Sequence, residues 1–80
     1  MMRIDVRFFA VFRETAGTDR LKVETAAKTV SELFQEMMQT FDGLAHEPAA
    51  LVAINDEMVP WDHLIADGDK VLFFPPVAGG

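Results

Sequence analysis

The sequence contains no cysteine. A disulfide framework, a thiolate nucleophile and a cysteine-ligated metal site are therefore excluded. No apolar run approaches the roughly 18 residues that a membrane span requires, and the first residues lack the charged-then-apolar pattern of a signal peptide. We expect a cytoplasmic protein without a membrane partner.

Basic residues are also few, with 7 Lys and Arg against 13 Asp and Glu and a formal net charge of −6. Nucleic-acid binding requires a basic stripe that displaces phosphate counterions, and the sequence has none. The acidic balance instead favours a basic protein partner. The length of 80 residues and the hydrophobic content of 50% predict one globular domain.

Motifs for catalysis or cofactor binding are missing as well. His46 and His63, the two histidines, stand in no Ser/His/Asp or Glu/His arrangement. Asp67-Gly68-Asp69 lacks the remaining ligands of a calcium loop and is interpreted as a tight turn. The sequence contains neither of the glycine-rich phosphate-binding motifs G-x-x-x-x-G-K-[ST] and G-x-G-x-x-G. We therefore expect no metal and no cofactor on this chain, and no catalytic constellation of its own.

The first third of the chain contains two stretches that alternate between apolar and polar residues. This alternation predicts strands over Arg3–Val11 and Arg20–Thr25. A turn at Thr15–Asp19, with Gly17 in the left-handed conformation, would join them into a hairpin.

A helix follows the hairpin. Thr29-Val30-Ser31-Glu32 is a capping-box pattern, and apolar residues then recur at helical spacing as far as Phe41. The pattern predicts a helix over residues 30–41, with Gly43 as its left-handed C-terminal cap.

The pattern of the remaining residues predicts short strands separated by turns. A buried strand is predicted at Leu51–Ile54, a brief strand at Met58–Val59, one helical turn at Asp62–Ile65 and a last strand at Val71–Phe74. The order ββαββ predicts an α+β protein of the β-grasp type, as in ubiquitin. Its mixed sheet would carry one main helix across one face, with a domain at residues 1–74 and a tail at 75–80.

One helix covers only one face of such a sheet. By strand parity, Phe9, Leu72 and Phe74 point away from the helix, and Met58 joins them. An apolar group on an uncovered face predicts a surface that binds a protein partner.

The tail is built to be extended and slender. Pro75 and Pro76 favour extended backbone, and the glycines at 79 and 80 have no side chain to obstruct a narrow channel. Such a tail would present the carboxylate of its last residue to a partner's active site. The segment consists of Pro75, Pro76, Val77, Ala78, Gly79 and Gly80. The alternative is a frayed terminus without function on a plain interaction domain.

The ending Phe73-Phe-Pro-Pro-Val-Ala-Gly-Gly80, together with Asp67-Gly-Asp69, Phe8-Phe-Ala10, Arg13-Glu14 and Gly17, resembles the small subunits of molybdopterin synthase. These MoaD proteins belong to the MoaD/ThiS group of ubiquitin-like sulfur carriers. The resemblance extends over essentially the whole chain. It implies that Gly80 is adenylated, converted to a thiocarboxylate and used to donate sulfur to cyclic pyranopterin monophosphate in molybdenum cofactor biosynthesis.

The resemblance also implies the partners. They are a molybdopterin synthase large subunit in a 2:2 heterotetramer, an E1-like adenylating enzyme that consumes ATP, and a sulfurtransferase or cysteine desulfurase. Phe9, Met58 and Phe74 match positions of partner contact in the family. At the position of Met58, other members commonly have a different aliphatic residue. Two alternatives stay open: a related carrier for thiamine, tRNA thiolation or cysteine synthesis, and a ubiquitin-like protein modifier.

Overall fold

The computed structural model describes residues 1–76, so the predicted tail residues Val77, Ala78, Gly79 and Gly80 lie outside the described residues. No helix in the described part is long and apolar enough to cross a membrane. The elements are β1 (Met2–Phe8), α1 (Ala10–Ala16), β2 (Arg20–Thr25), α2 (Val30–Thr40), β3 (Leu51–Ile54), β4 (Glu57–Val59) and β5 (Lys70–Phe74).

The five strands form one mixed sheet in the order β2-β1-β5-β3-β4. β1 pairs antiparallel with β2 and parallel with β5, and β3 pairs antiparallel with both β4 and β5. The predicted β-grasp arrangement is confirmed. The strand that leads into the tail, β5, lies in the middle of the sheet.

Helix α2 forms where the capping pattern predicts it. The Thr29 hydroxyl accepts a hydrogen bond from the Glu32 N–H at 3.2 Å. The Glu32 carboxylate accepts from the Lys28 N–H at 2.8 Å, one residue earlier than in a standard capping box. The helix buries Val30, Leu33, Phe34 and Met37 against one face of the sheet.

Aromatic rings connect the helices to the central strand. The Phe34 ring on α2 contacts Phe12 on α1 at a centroid distance of 5.5 Å and Phe73 on β5 at 4.8 Å. Trp61 lies parallel to Phe73 at 5.9 Å, and its indole N–H donates to the Ala50 carbonyl at 3.2 Å. Because these contacts fill the covered face, β5 is fixed from that side.

The region after β1 differs from the prediction. The predicted strand over Arg3–Val11 ends at Phe8, and α1 occupies most of the segment that was expected to be strand and turn. Ala10 has a φ of +52°, which interrupts the extended backbone, and the Phe9 carbonyl accepts from the N–H groups of residues 12 and 13. Gly17 has the expected positive φ, +77°, but it is the C-cap of α1 and not part of a hairpin turn.

Two further local predictions were wrong. In place of the helical turn expected at Asp62–Ile65, residues 60–63 form a tight turn, and the segment after it is extended, with Leu64 in an isolated bridge to Thr29. Backbone hydrogen bonds to the start of α2 hold it extended, including the Val30 N–H to the carbonyl of residue 63. Gly43 has the expected positive φ of +89°, but the C-cap of α2 is Phe41.

Candidate functional site

The face of the sheet opposite α2 carries a row of large apolar side chains at the end of β5. Phe74 lies opposite Leu51 of β3 in the register. On its other side, the Phe9 ring stacks on Phe74 with centroids 4.5 Å apart and an angle of 16° between the planes. Phe9 reaches this position because its backbone stays extended after β1 ends. The prediction that Phe9 and Phe74 face away from α2 is confirmed.

The next row of side chains across the sheet, on the same face, has four positions, and three of them are apolar. It runs from Arg7 through Leu72 and Ala53 to Met58. Met58 on the edge strand is 54% exposed, whereas Leu72 on the central strand is only 9% exposed. Leu72 therefore has the predicted orientation, but its neighbours on both sides cover most of it, and it offers a partner little area.

We define the apolar patch as Phe9, Leu51, Met58, Leu72 and Phe74. Leu51, which is 55% exposed, was missed because a run of four apolar residues suggests a strand buried on both faces. The sheet is covered on one face only, so the parity of Leu51 with Ala53 was the signal that could have found it. Contiguous exposed apolar surface is typical of protein–protein contacts, so the patch stays the predicted partner-binding surface.

The same face continues into charged residues along β1 and β2 and at the start of β5. We define this charged half as Arg3, Asp5, Arg7, Arg20, Lys22, Glu24 and Lys70. At its centre, the Arg7 guanidinium donates two hydrogen bonds to the Asp5 carboxylate, at 3.1 and 3.0 Å. These bonds, and to a lesser extent the charges of Arg7, Lys22 and Arg20, hold the pKa of Asp5 below its usual value although burial opposes the shift.

Substitution of Asp5 tests this pairing. The lowered pKa of folded Asp5 means that its contribution to stability is present above its unfolded pKa and is lost as the pH falls through the folded pKa. We expect Asp5→Asn to be less stable than the wild type at pH 7, and the two proteins to converge as the pH falls through the lowered pKa of folded Asp5. Urea unfolding between pH 2 and pH 7 measures this difference. A stability gap that is independent of pH would contradict it.

Among the residues that the structure describes, neither histidine stands in a catalytic arrangement. The His46 ring packs against Trp61 at 4.7 Å, and His63 Nδ1 lies 2.7 Å from the Leu64 carbonyl oxygen. Within residues 1–76, no group of three acidic, histidine or cysteine residues is placed to hold a metal ion.

The end of the site closest to the tail is the C-terminus of β5. The strand ends at Phe74, and Pro75 and Pro76 follow it outside the sheet. The predicted sulfur-bearing residue, Gly80, and its neighbours Val77, Ala78 and Gly79 lie outside the described residues. Their roles, and the division into a domain at 1–74 and a tail at 75–80, stay predictions from the sequence.

A β-grasp domain with an apolar patch beside the strand that leads into a Gly-Gly ending belongs to the ubiquitin-like class. The chain is a member of the ThiS family, which its sequence matches over residues 6–80. It is 46% identical to the "Molybdopterin synthase sulfur carrier subunit" of Escherichia coli K12, over 96% of this chain and 99% of that protein. It is 37% identical to "Small archaeal modifier protein 3" of Haloferax volcanii, over 99% and 100%.

Solved structures agree on the fold. The solution structure of the Haloferax volcanii HVO 2177 protein superposes with a TM-score of 0.85 at 33% identity, covering 99% of this chain and 87% of that one. A chain in the "Protein-protein complex of subunit 1 and 2 of Molybdopterin-converting factor" from Helicobacter pylori superposes with a TM-score of 0.65 at 27% identity, covering 99% and 100%.

Proposed function

We propose that this protein is the sulfur carrier subunit of a molybdopterin synthase and works in the cytoplasm. The observation that carries the proposal is the 46% identity, over nearly the full length of both chains, to an Escherichia coli protein of that name. The apolar patch supports it, because a carrier must dock on other proteins at the strand from which its tail extends.

The chemistry takes place at the Gly80 carboxylate. A terminal carboxylate is ionised at neutral pH and attacks the α-phosphate of ATP, releasing pyrophosphate and forming an acyl-adenylate. A persulfide sulfur then attacks the acyl carbon and displaces AMP. Reduction of the resulting acyl disulfide by a thiol leaves a thiocarboxylate on Gly80 and a disulfide on the sulfur donor.

The partners supply every catalytic group in this scheme. ATP binds to an E1-like adenylating enzyme, the persulfide belongs to a sulfurtransferase or cysteine desulfurase, and the large subunit holds cyclic pyranopterin monophosphate, the acceptor of the sulfur. The superposition with a chain of a subunit 1 and 2 complex supports a large-subunit partner. We propose a 2:2 assembly with that partner, as the family resemblance implies. The tail residues Pro75 and Pro76 restrict the free chain, which lowers the conformational entropy lost when the tail enters the large subunit.

Intact mass spectrometry tests the proposal directly. The purified protein is incubated with an adenylating enzyme, ATP and a persulfide donor, and its mass is compared before and after. We expect a gain equal to the exchange of one oxygen for one sulfur, located at Gly80 by fragmentation. Addition of the large subunit and cyclic pyranopterin monophosphate should return the mass to its starting value as molybdopterin forms.

An unchanged mass, under conditions in which the Escherichia coli carrier is converted, would overturn the proposal. Omission of ATP is the control, because without the adenylate the carboxylate has no leaving group to lose. A thiocarboxylate that forms but is not consumed by the large subunit would assign the chain to another sulfur pathway.

Protein modification is the second candidate. It is favoured by the 37% identity to Small archaeal modifier protein 3, over the whole length of that protein. A modifier would join Gly80 to lysine side chains of other proteins through an isopeptide bond. Digestion of cell proteins and a search for lysines that carry the tail remnant separates the two functions.

A further inference from the structure

The positive charges of this acidic protein are concentrated on one face. Five of the seven Lys and Arg residues lie on β1, β2 and β5 with side chains on the uncovered face: Arg3, Arg7, Arg20, Lys22 and Lys70. The only carboxylates on these strands that share this face are Asp5 and Glu24. The rest of the chain carries eleven Asp and Glu side chains and only the other two Lys and Arg residues. The uncovered face is therefore positive although the protein as a whole has a net charge of −6.

Three of the five cations are already paired. Arg3 contacts Glu24 at 3.4 Å, Arg7 contacts Asp5 at 3.0 Å, and Lys70 contacts Asp56 from the neighbouring turn at 3.4 Å. Arg20 and Lys22 form no ion pair with any other side chain of residues 1–76, and both are exposed. They are two residues apart on the edge strand β2, so their side chains lie on the same face.

The position of Arg20 is unfavourable within the isolated protein. In the register of β1 and β2 it lies directly opposite Arg7. Like charges that face each other across an antiparallel pair destabilise a sheet. Asp5 attracts Arg20 from within the same face, but its carboxylate is hydrogen-bonded to Arg7, and Arg20 forms no ion pair of its own within residues 1–76. A residue in this position is better explained by a contact outside the domain than by the stability of the fold.

The charged half also has space for side chains of a partner protein. A cavity of about 480 Å³ opens on it, lined by Arg3, Asp5, Lys22 and Glu24 among others. Arg7 adjoins both Arg20 and Leu72 in the register, so this half is continuous with the apolar patch. One partner surface can cover both parts.

We infer that the large subunit covers this face with an acidic surface, whose carboxylates lie opposite β2 and bind Arg20 and Lys22. Next to these carboxylates, an apolar centre of the same partner surface contacts the apolar patch. The inference rests on the proposed function, which makes the uncovered face the docking surface. It reverses, for this face, the basic partner that the net charge of the sequence predicts. Charge complementarity of this kind steers association and selects the partner, while the apolar centre supplies most of the affinity.

Arg20→Glu is the informative variant. It should weaken binding of the large subunit about tenfold at low ionic strength, mainly through slower association. It should leave the melting temperature unchanged or raise it, because a glutamate opposite Arg7 replaces a repulsion by an attraction. High salt should remove most of the difference in affinity, since screening acts on exposed charges. Surface plasmon resonance at two salt concentrations and a thermal melt measure these effects.

Lys28→Glu is the matched control. It makes the same change of charge at an exposed lysine next to α2, away from the uncovered face, and should bind as the wild type does. Lys22→Gln removes a charge without introducing a carboxylate opposite Asp5, and should reduce affinity by a smaller factor than Arg20→Glu.

The outcomes separate the inference from the function on which it rests. If Arg20→Glu binds as tightly as Lys28→Glu, or more tightly than the wild type, the acidic-partner inference is overturned. Phe74→Arg, measured in parallel, reports on the docking face itself. Weak binding by Phe74→Arg together with normal binding by Arg20→Glu would leave the proposed function intact and reject only the charge inference. Normal binding by both would reject this face as the docking surface.

Discussion

Phe74→Arg is expected to cost about 2–4 kcal/mol of binding free energy to the large subunit, the range of an aromatic hot spot at the centre of an interface. This corresponds to roughly 30- to 1,000-fold in Kd. Phe74 lies in the middle of its row, between Phe9 and Leu51, and would be desolvated when a partner covers the patch. A guanidinium there would bring an unpaired charge into an apolar contact.

Stability should change much less than binding in this variant. Phe74 faces away from the main core, and the interaction lost within the domain is chiefly its stack on Phe9, worth about 0.5–1.5 kcal/mol. Titration calorimetry and urea unfolding of the same preparation separate the two effects. A large loss of stability with unchanged affinity for the large subunit would contradict the assignment of Phe74 to the docking face.

Leu64→Arg provides the comparison for this experiment. Leu64 is 68% exposed and lies beside the start of α2, away from the apolar patch. The same introduction of charge on exposed apolar surface should therefore leave binding unchanged. Met58→Arg tests the patch independently, because Met58 is 54% exposed on the edge strand and its substitution disturbs no aromatic stack. It should weaken binding in the same direction as Phe74→Arg.

Deletion of Gly79 and Gly80 is expected to abolish sulfur loading altogether, because the acyl group that forms the adenylate is removed from the adenylating site. Binding to the large subunit should persist, since the apolar patch is unchanged. Mass spectrometry after the loading reaction and a binding titration report the two properties separately. Sulfur transfer by the deletion variant would rule out Gly80 as the residue that carries the sulfur.

Substitutions within the tail refine this result. Gly79→Ala adds a single methyl group where the proposal requires passage through a narrow channel, so turnover with the large subunit should fall while loading with sulfur is affected less. Ala78→Gly alters the same segment without adding bulk and should transfer sulfur at close to the normal rate. Equal rates for the two variants would argue against a channel that selects glycine at residue 79.

Prediction from the sequence succeeded where one periodic pattern coincided with a clear start signal. Thr29 and Glu32 mark the start of α2, and the apolar stripe on that helix could be matched to a single face. The outward position of Phe9 and Phe74 followed from strand parity, which depends only on the alternation of the backbone. These were local rules that tertiary contacts did not override.

The failures have equally specific causes. α1 was missed because the alternation of β1 continues in the sequence as far as Val11, whereas the backbone leaves the strand at Phe9 and turns at Ala10. Leu64 lies in extended backbone because it pairs with the start of α2, a contact between residues 35 positions apart that no local pattern contains. The near burial of Leu72 depends on which strand is central, and that order is a property of the whole sheet.

The central position of β5 has a mechanical consequence. A partner that grips the chain beyond Phe74 pulls on the end of a strand that is bonded along its length to β1 on one side and to β3 on the other. Tension along the strand loads both ladders in shear, so many hydrogen bonds must break together, whereas an edge strand could be peeled away one bond at a time. The domain can therefore act as a stiff handle: a tail can be inserted, held and withdrawn repeatedly without unravelling the fold that carries it.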